Sequence, residues 1–404
     1  MKALMYGGGN IGRGFIGMLL SASGYEVTIV DVVDSVIENL NTNKKYPVRI
    51  ISNDGHTDID VLNINAVDGK DGAAVAEAIA SVDIMATAVG VNVLKFIIPN
   101  IVAGLKLRKE RNLPPFNIII CENLMDANKV LEKMIKEHLN ADEQNWFDQN
   151  IGLVEASIGR MVPVQTEDMK DGNPLRVCVE SYGFLPVDKD AFKGEIPNIK
   201  NMVPFSPFDF YLKRKLYVHN MGHATCAYLG NILGLEYIYQ SIDKDEVYLI
   251  VRGAMEESAR ALSKKYGVAL EEILLHITDL LNRFTNAALK DTCQRVGGDP
   301  VRKLSPDDRL IGSSKLAMEM GVTPAYIAIG AAAGLRRYLN EVDGCEQSKE
   351  CAKNVLCEHC KLDADDKLTK MILDMYQMIL DGKSLAEIRR AADSVIASEL
   401  GNVI

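Results

Sequence analysis

Asn220 and His223 follow Lys215 by five and eight residues in Lys215-Leu-Tyr-Val-His-Asn220-Met-Gly-His223, and each residue type has a use in taking a proton from a hydroxyl. A lysine amine becomes a general base when burial or a nearby cation lowers its pKa from about 10.4 toward neutrality. Lys213 and Arg214 place positive charge next to it in sequence. The Asn220 amide can donate to a developing alkoxide, as in an oxyanion hole. His223 can bind a substrate hydroxyl or polarise a reacting carbonyl. On an α-helix, side chains at these offsets are turned from the first by about 140° and 80°, so the three share a broad face. Alone, the segment reads better as a basic helix start with a capping asparagine and a half-buried histidine, since these residues are common on helix surfaces.

A second pattern lies at the start of the chain. Gly7-Gly8-Gly9-Asn10-Ile11-Gly12 fits G-x-G-x-x-G, with a strand-like run before it and a helical run, Ile11–Ser21, after it. In such a fingerprint Gly7 permits the tight turn, Gly9 lets the backbone approach a pyrophosphate, and Gly12 lets the helix pack on the sheet. The anion then meets the free N–H groups of the helix start. Asp31 stands 19 residues after Gly12, the offset expected of a carboxylate on the adenosine ribose. It would repel a 2′-phosphate, and Val32–Leu40 brings no cation, so NAD is expected rather than NADP.

The elements that must position these residues differ between the two halves. Up to about residue 185, short β-like runs alternate with helical patterns, as in a parallel α/β sheet. Lys2–Tyr6, Glu26–Val30, Ile84–Ala88 and Asn117–Cys121 are the strand candidates. Gly152–Val164 and Leu175–Val187 are expected to extend the same sheet, with Thr166–Pro174 as a surface turn between them. Pro197–Phe210, rich in proline and phenylalanine, reads as a packed crossing. Beyond Lys213, apolar residues recur at helical spacing through Asp245–Tyr266, Leu270–Asn286 and Tyr326–Glu341. The fold class expected is therefore α/β: an N-terminal Rossmann-type doubly wound sheet (1–196), followed by a mostly α-helical catalytic and substrate domain (197–404).

Composition narrows the partners. A net charge of −10 argues against nucleic acid or an anionic membrane as the main ligand. No run of about 18 apolar residues could span a bilayer, and no secretory leader pattern opens the chain. Eight cysteines in 404 residues are too sparse for a disulfide scaffold, so a reducing, cytoplasmic setting is expected.

Several separated motifs, in order, resemble the long-chain, metal-independent polyol dehydrogenases. They are Gly7–Gly17, Thr87-Ala-Val-Gly90, Cys121-Glu-Asn123, Lys215…Asn220-x-x-His223-Ala224, and Leu289-Lys-Asp291 through Arg302-Lys-Leu-Ser305 to Asp308-Arg-Leu310. The resemblance implies a catalytic lysine at Lys215, an oxyanion-hole asparagine at Asn220 and a substrate-binding histidine at His223. It matches a second asparagine to Asn123, and it puts the nicotinamide near Asn123 and Thr87, Val89 and Gly90. It implies NAD-linked interconversion of a polyol phosphate and a ketose phosphate, D-mannitol 1-phosphate and D-fructose 6-phosphate, by a monomer that uses no metal. Relatives acting on free polyols often carry a glutamate three residues before the lysine as a proton conduit, where this chain has Leu212.

Two clusters remain open. Arg302, Lys303 and Arg309 would suit a substrate phosphate, or they could form inter-helix salt bridges; the resemblance favours substrate. Cys345, Cys351, Cys357 and Cys360 with His359 have only one metal-like spacing, Cys357-Glu-His-Cys360, and read as idle or buried thiols rather than a zinc site. Alternative functions are reduction of tagaturonate or fructuronate to aldonates, as in relatives with the same lysine motif, and a non-catalytic NAD-binding regulator.

Overall fold

The computed structural model describes residues 1–342 and 346–401. It divides into two compact units, Met1–Asp209 and Phe210–Ile404. In chain order the strands of the first unit are β1 Lys2–Tyr6, β2 Glu26–Asp31, β3 Lys45–Ser52, β4 Gly55–Leu62, β5 Ile64–Asp68, β6 Ile84–Thr87, β7 Phe116–Ile120, β8 Ile151–Glu155, β9 Val177–Val179, β10 Leu185–Asp188 and β11 Met202–Phe205.

Among the described residues, six of these strands make one parallel sheet in the order β5-β2-β1-β6-β7-β8. That is the doubly wound arrangement in which the order reverses between β1 and β6. The cause is visible in β1: Ala3 and Met5 join the core on one face, Leu4 and Tyr6 the core on the other. A strand buried on both faces needs helices on both sides, and the helices Gly72–Ala80 and Leu94–Glu110 supply one layer. The loops after β1 and β6 consequently open side by side at the reversal.

The sheet departs from expectation beyond β8. Only Ile151–Glu155 of the first late run joins it. Val177–Val179 instead pairs with β3, and Leu185–Asp188 pairs with Met202–Phe205. The reason is an antiparallel hairpin, β3–β4, closed between Ser52 and Gly55, whose free edge accepts β9. Its alternation is masked in the sequence because β4 is mostly exposed. The pairing of β10 with β11 also carries the first unit past residue 196 to Asp209. Thr166–Pro174 is not a plain turn, since it contains the short helix Glu167–Lys170, capped by Thr166 Oγ1 accepting from the Met169 N–H.

The described part of the second unit is helical. Asp245–Tyr266 is its long central helix, with Met221–Ile232 and Ala325–Glu341 packed against it. Small residues set the spacing: a Cβ on Gly222 would lie 2.3 Å from Met255, and one on Gly330 would lie 2.3 Å from Thr225. Among the described residues no helix is long and apolar enough to cross a membrane.

Glu257 is the buried carboxylate of this core. Its two oxygens accept from the N–H groups of Tyr326 and Ile327, both at 2.9 Å, and so cap the first turn of Ala325–Glu341. Burial nevertheless pushes its carboxyl up to about 8 against those donors. Between the unfolded carboxyl pKa of about 4.3 and that value, the native state holds a proton that the unfolded chain has lost. Stability from this group is therefore full at low pH and declines as pH rises through the window. Glu257→Gln should lower stability overall but flatten the fall in Tm between about pH 5 and 8. Parallel Tm–pH curves for the two proteins would show that Glu257 does not titrate there.

Candidate active site

The turn after β1 is built as a dinucleotide fingerprint requires. Gly7 has φ +100°, and a Cβ on Gly12 would lie 1.9 Å from the Gly7 carbonyl oxygen, so the helix starts directly against the turn. No atom lies within 4 Å of a Cβ built on Gly9, which leaves the backbone accessible where a pyrophosphate would sit. Asp31 ends β2; its Oδ2 accepts from the Gly8 N–H at 2.8 Å, and Oδ1 from Val32 and Val33. The carboxylate is thus fixed at the mouth of the turn and fits the role of a ribose acceptor.

The helix that follows is widened to an i→i+5 turn over Gly12–Gly17 before becoming regular at Met18–Ala22. Carbonyls in such a turn need partners from elsewhere. Arg160 donates to Gly14 O at 2.8 Å, and Tyr46 Oη donates to Arg13 O at 2.8 Å. The buried Arg13 ties Gly8 O to Leu175 O, both at 2.6 Å. Neither arginine was a sequence candidate.

Thr87 ends β6 fully buried, with a hydroxyl that has no hydrogen-bond partner among the described residues. The N–H groups of Val89 and Gly90 both donate to Glu122, at 2.9 and 2.8 Å. That carboxylate is 7% exposed, and it fixes the loop in which Thr87, Val89 and Gly90 were expected to meet the cofactor. Glu122 had no assigned role in the sequence, although it is the middle residue of Cys121-Glu-Asn123. Asn123 follows it, exposed at the end of the β7 loop.

In the second unit Lys215–Asn220 forms another widened turn, with Met221 N–H reaching back to Leu216 O. In an i→i+5 turn, residues five apart stack on one another, so Lys215 and Asn220 lie closer in direction than α-helical spacing implied. Tyr217 ties this turn to the loop ahead of Ile311–Glu319: its hydroxyl donates to Asp307 O at 3.2 Å, and Gly312 leaves the room for it. Burial lowers the Lys215 amine to about 8, with Arg309 adding to the shift. The neighbouring cation is therefore Arg309, not Lys213 or Arg214. Lys213 lies 5.0 Å over the Tyr217 ring and Arg214 4.5 Å over Tyr211, both turned to aromatic faces.

His223 stacks on Phe284, with ring centroids 4.8 Å apart. Its Nε2 stands 3.3 Å from Asp291 Oδ2, at ion-pair distance. Burial would raise Asp291, yet His223 and Arg295 outweigh it and hold the carboxyl below its usual range. His219 is buried 6.1 Å from His223; burial, and then Arg283, keeps it well below the ordinary histidine pKa. Asp291 was visible in Leu289-Lys-Asp291 without a role, and its partner could not be read from spacing 68 residues away.

Among the three basic candidates, Arg302 pairs with Asp299 at 2.7 Å and with Asp308 at 3.3 Å, while Arg309 pairs with Asp308 at 2.8 Å. Lys303 is buried and donates to Val296 O at 2.5 Å and to Gly298 O. Burial lowers its amine to about 8, with Arg309 and Arg302 adding to the effect. Of the cysteine cluster, Cys345 lies outside the described residues, Cys351, Cys357 and Cys360 are unbridged thiols, and His359 contacts Val301 O at 2.6 Å. Among the described residues no group of His, Cys, Asp or Glu could hold a metal.

Gly12→Ala forces a methyl into the Gly7 carbonyl and should abolish NAD binding. Asp31→Ala removes a charged acceptor and should weaken NAD by roughly ten- to hundredfold. Fluorescence titration of each purified variant reads both effects, and NAD affinity within twofold of wild type for either would sink this placement of the cofactor.

Comparison with known proteins identifies the family. The family profile described as the mannitol dehydrogenase Rossmann domain matches residues 1–201, and that of the mannitol dehydrogenase C-terminal domain matches 208–388. A protein called mannitol-1-phosphate 5-dehydrogenase from Caldanaerobacter subterraneus subsp. tengcongensis is 39% identical over 335 residues, covering 83% of this chain and 86% of its own. Another of that name, from Thermoanaerobacter pseudethanolicus, is 39% identical over 347 residues, covering 86% and 88%. Among solved structures, D-sorbitol dehydrogenase superposes with a TM-score of 0.78 at 15% identity over 96% of this chain and 94% of its own. Pseudomonas fluorescens mannitol 2-dehydrogenase, in ternary complex with NAD and D-mannitol, gives 0.72 at 14% over 97% and 94%. With both halves matched in order, the chain belongs to the mannitol dehydrogenase family.

Proposed function

We propose that the chain interconverts D-mannitol 1-phosphate and D-fructose 6-phosphate, oxidising the polyol at C5, with Lys215 as the acid–base group. The observation that carries the reading is a lysine amine lowered to about 8, eight residues ahead of the histidine that pairs with Asp291, within a family whose relatives above are named for this reaction. NAD, when bound, accepts the hydride. Gly7, Gly9, Gly12 and Asp31 would hold its pyrophosphate and adenosine ribose, and the Glu122-clamped loop of Thr87, Val89 and Gly90 its other end.

The chain's own residues then divide the work. Neutral Lys215 takes the C5 hydroxyl proton. The amides of Asn220 and Asn123 are assigned to the alkoxide oxygen, where a positioned donor is worth most. His223, held between Phe284 and Asp291, binds a substrate hydroxyl. The substrate phosphate is assigned to the cluster of Arg302, Lys303 and Arg309. Because Lys303 is turned onto backbone carbonyls, the two guanidiniums carry that contact while Lys303 holds the loop. We place the enzyme in the cytoplasm, acting as a monomer on small molecules rather than nucleic acid.

A substrate panel tests the assignment: NADH should form from mannitol 1-phosphate and not from free polyols or from the aldonates of tagaturonate and fructuronate. NADH formed only from the aldonates would transfer the basic cluster to a carboxylate substrate, and tight NAD binding with no turnover on any substrate would make the chain a regulator.

The pH dependence follows from the lysine. Oxidation needs the neutral amine, so its rate should rise with pH through about 8, and reduction, which needs the ammonium, should fall over the same range. Lys215→Ala should slow both directions by roughly 10²-fold or more with little change in NAD affinity. Near-normal turnover with an unaltered pH profile would move the base elsewhere, with His223 next in line.

A further inference from the structure

One carbonyl of the second unit is passed over by the chain around it. At the short helix Pro300–Lys303, the N–H groups of Lys303, Leu304 and Ser305 donate to the carbonyls of Asp299, Pro300 and Arg302. Among the described residues no backbone N–H reaches Val301 O. Its donor comes from 58 residues away, where His359 Nε2 stands 2.6 Å from it. A carbonyl only accepts, so Nε2 carries the hydrogen.

The run Cys357-Glu-His359-Cys360 is what aims that ring. Ser348 Oγ caps the helix Lys349–Glu358 by accepting from the Cys351 N–H at 3.1 Å. The helix stops before a left-handed residue, Lys361 at φ +55°. There the Cys360 N–H returns to Val355 O and the Leu362 N–H to Leu356 O, both at 3.0 Å, which fixes the last turn. Cys360 is fully buried, and burial pushes its thiol up to about 12. It therefore stays neutral and anchors the helix end as a small apolar group. One residue earlier, the His359 ring lies with its centroid 5.4 Å from that of Tyr338.

The other hydrogen bonds of Pro300–Lys303 are local. Lys303 donates to Val296 O and Gly298 O, and Asp299 accepts from the Arg302 N–H at 3.4 Å. The Arg302 side chain pairs with Asp299 and Asp308. These bonds fix the inner shape of the segment but not its place on the unit. Among the described residues, the bond from His359 is the one that ties it to an element distant in sequence. Val301 adjoins Arg302, and a guanidinium that meets phosphate oxygens in pairs tolerates little misplacement. We propose that His359 is a positioning residue for the phosphate end of the substrate, and that it sets where Arg302 presents its guanidinium. This rests on the reading above that Arg302 and Arg309 receive that phosphate.

The test is steady-state kinetics of the full chain on mannitol 1-phosphate at saturating NAD. His359→Ala should raise KM by roughly three- to tenfold, the span expected for one lost hydrogen bond. Its kcat and NAD affinity should be retained, which shows that it folds. His359→Gln places an amide N–H where Nε2 stands and should return KM to within about twofold of wild type. Arg302→Ala should also raise KM, and adding His359→Ala to it should raise KM little further, because the histidine acts through that guanidinium. If Arg302→Ala leaves KM unchanged, the phosphate binds elsewhere and the proposal falls with the reading beneath it. If Arg302→Ala raises KM but His359→Ala does not, or the two effects multiply in full, the reading stands and the role of His359 is overturned. A His359→Gln as impaired as His359→Ala, or a loss of kcat and NAD affinity in both, marks a merely structural residue and overturns it as well.

Discussion

An ammonium group gives up its proton near neutral pH only where protein replaces the water around it. Much of the second unit serves that end for Lys215. Tyr217, two residues on, fastens its turn to the Asp307 carbonyl, and Gly312 gives the phenol room. That contact brings the following Arg309 close enough to oppose the positive form of the lysine. Beneath it, Gly222 lets the Met221–Ile232 helix settle against Met255 in the long central helix. A helical unit with such close crossings is rigid. Rigidity matters here because a desolvated amine that could swing into water would regain its ordinary pKa.

The first unit solves a different problem, holding backbone N–H groups still at a topological reversal. It does so with two carboxylates. Asp31 fixes Gly8 from the β2 end, and Glu122 fixes Val89 and Gly90 from the β7 end. Each loop at the reversal is thus braced by a side chain from the strand beyond it. The bracing uses donors that could otherwise have met a ligand, so the loop of Val89 and Gly90 contributes shape more than hydrogen bonds.

Much of this was legible in the residues. Lys2–Tyr6 and Asp245–Tyr266 coincide with their elements because both carry unbroken patterns, one doubly buried and one amphipathic. Gly7, Gly12 and Asp31 were readable because their spacing encodes one backbone shape. The β3–β4 hairpin was not readable, because an exposed strand leaves no alternation to find. Nor was the cation beside Lys215: Arg309 arrives through the tertiary contact of Tyr217, whereas Lys213 and Arg214, near in sequence, face aromatic rings. Asp291 and Glu122 stood inside recognised motifs, but their partners are set by the fold rather than by offset.

The widened turn at Lys215–Asn220 has a consequence for how this chain can change. A turn closed five residues back holds one residue more than an α-helical turn. Because that extra residue is taken up inside one turn, the α-helix beyond it stays in phase, and His223 keeps its place on Phe284. Losing the extra residue would restore regular winding without re-aiming the later face. What it would change is which side chains within Lys215–Asn220 face together. The widened turn thus sets the company that Lys215 keeps, while the regular helix after it sets the aim of His223.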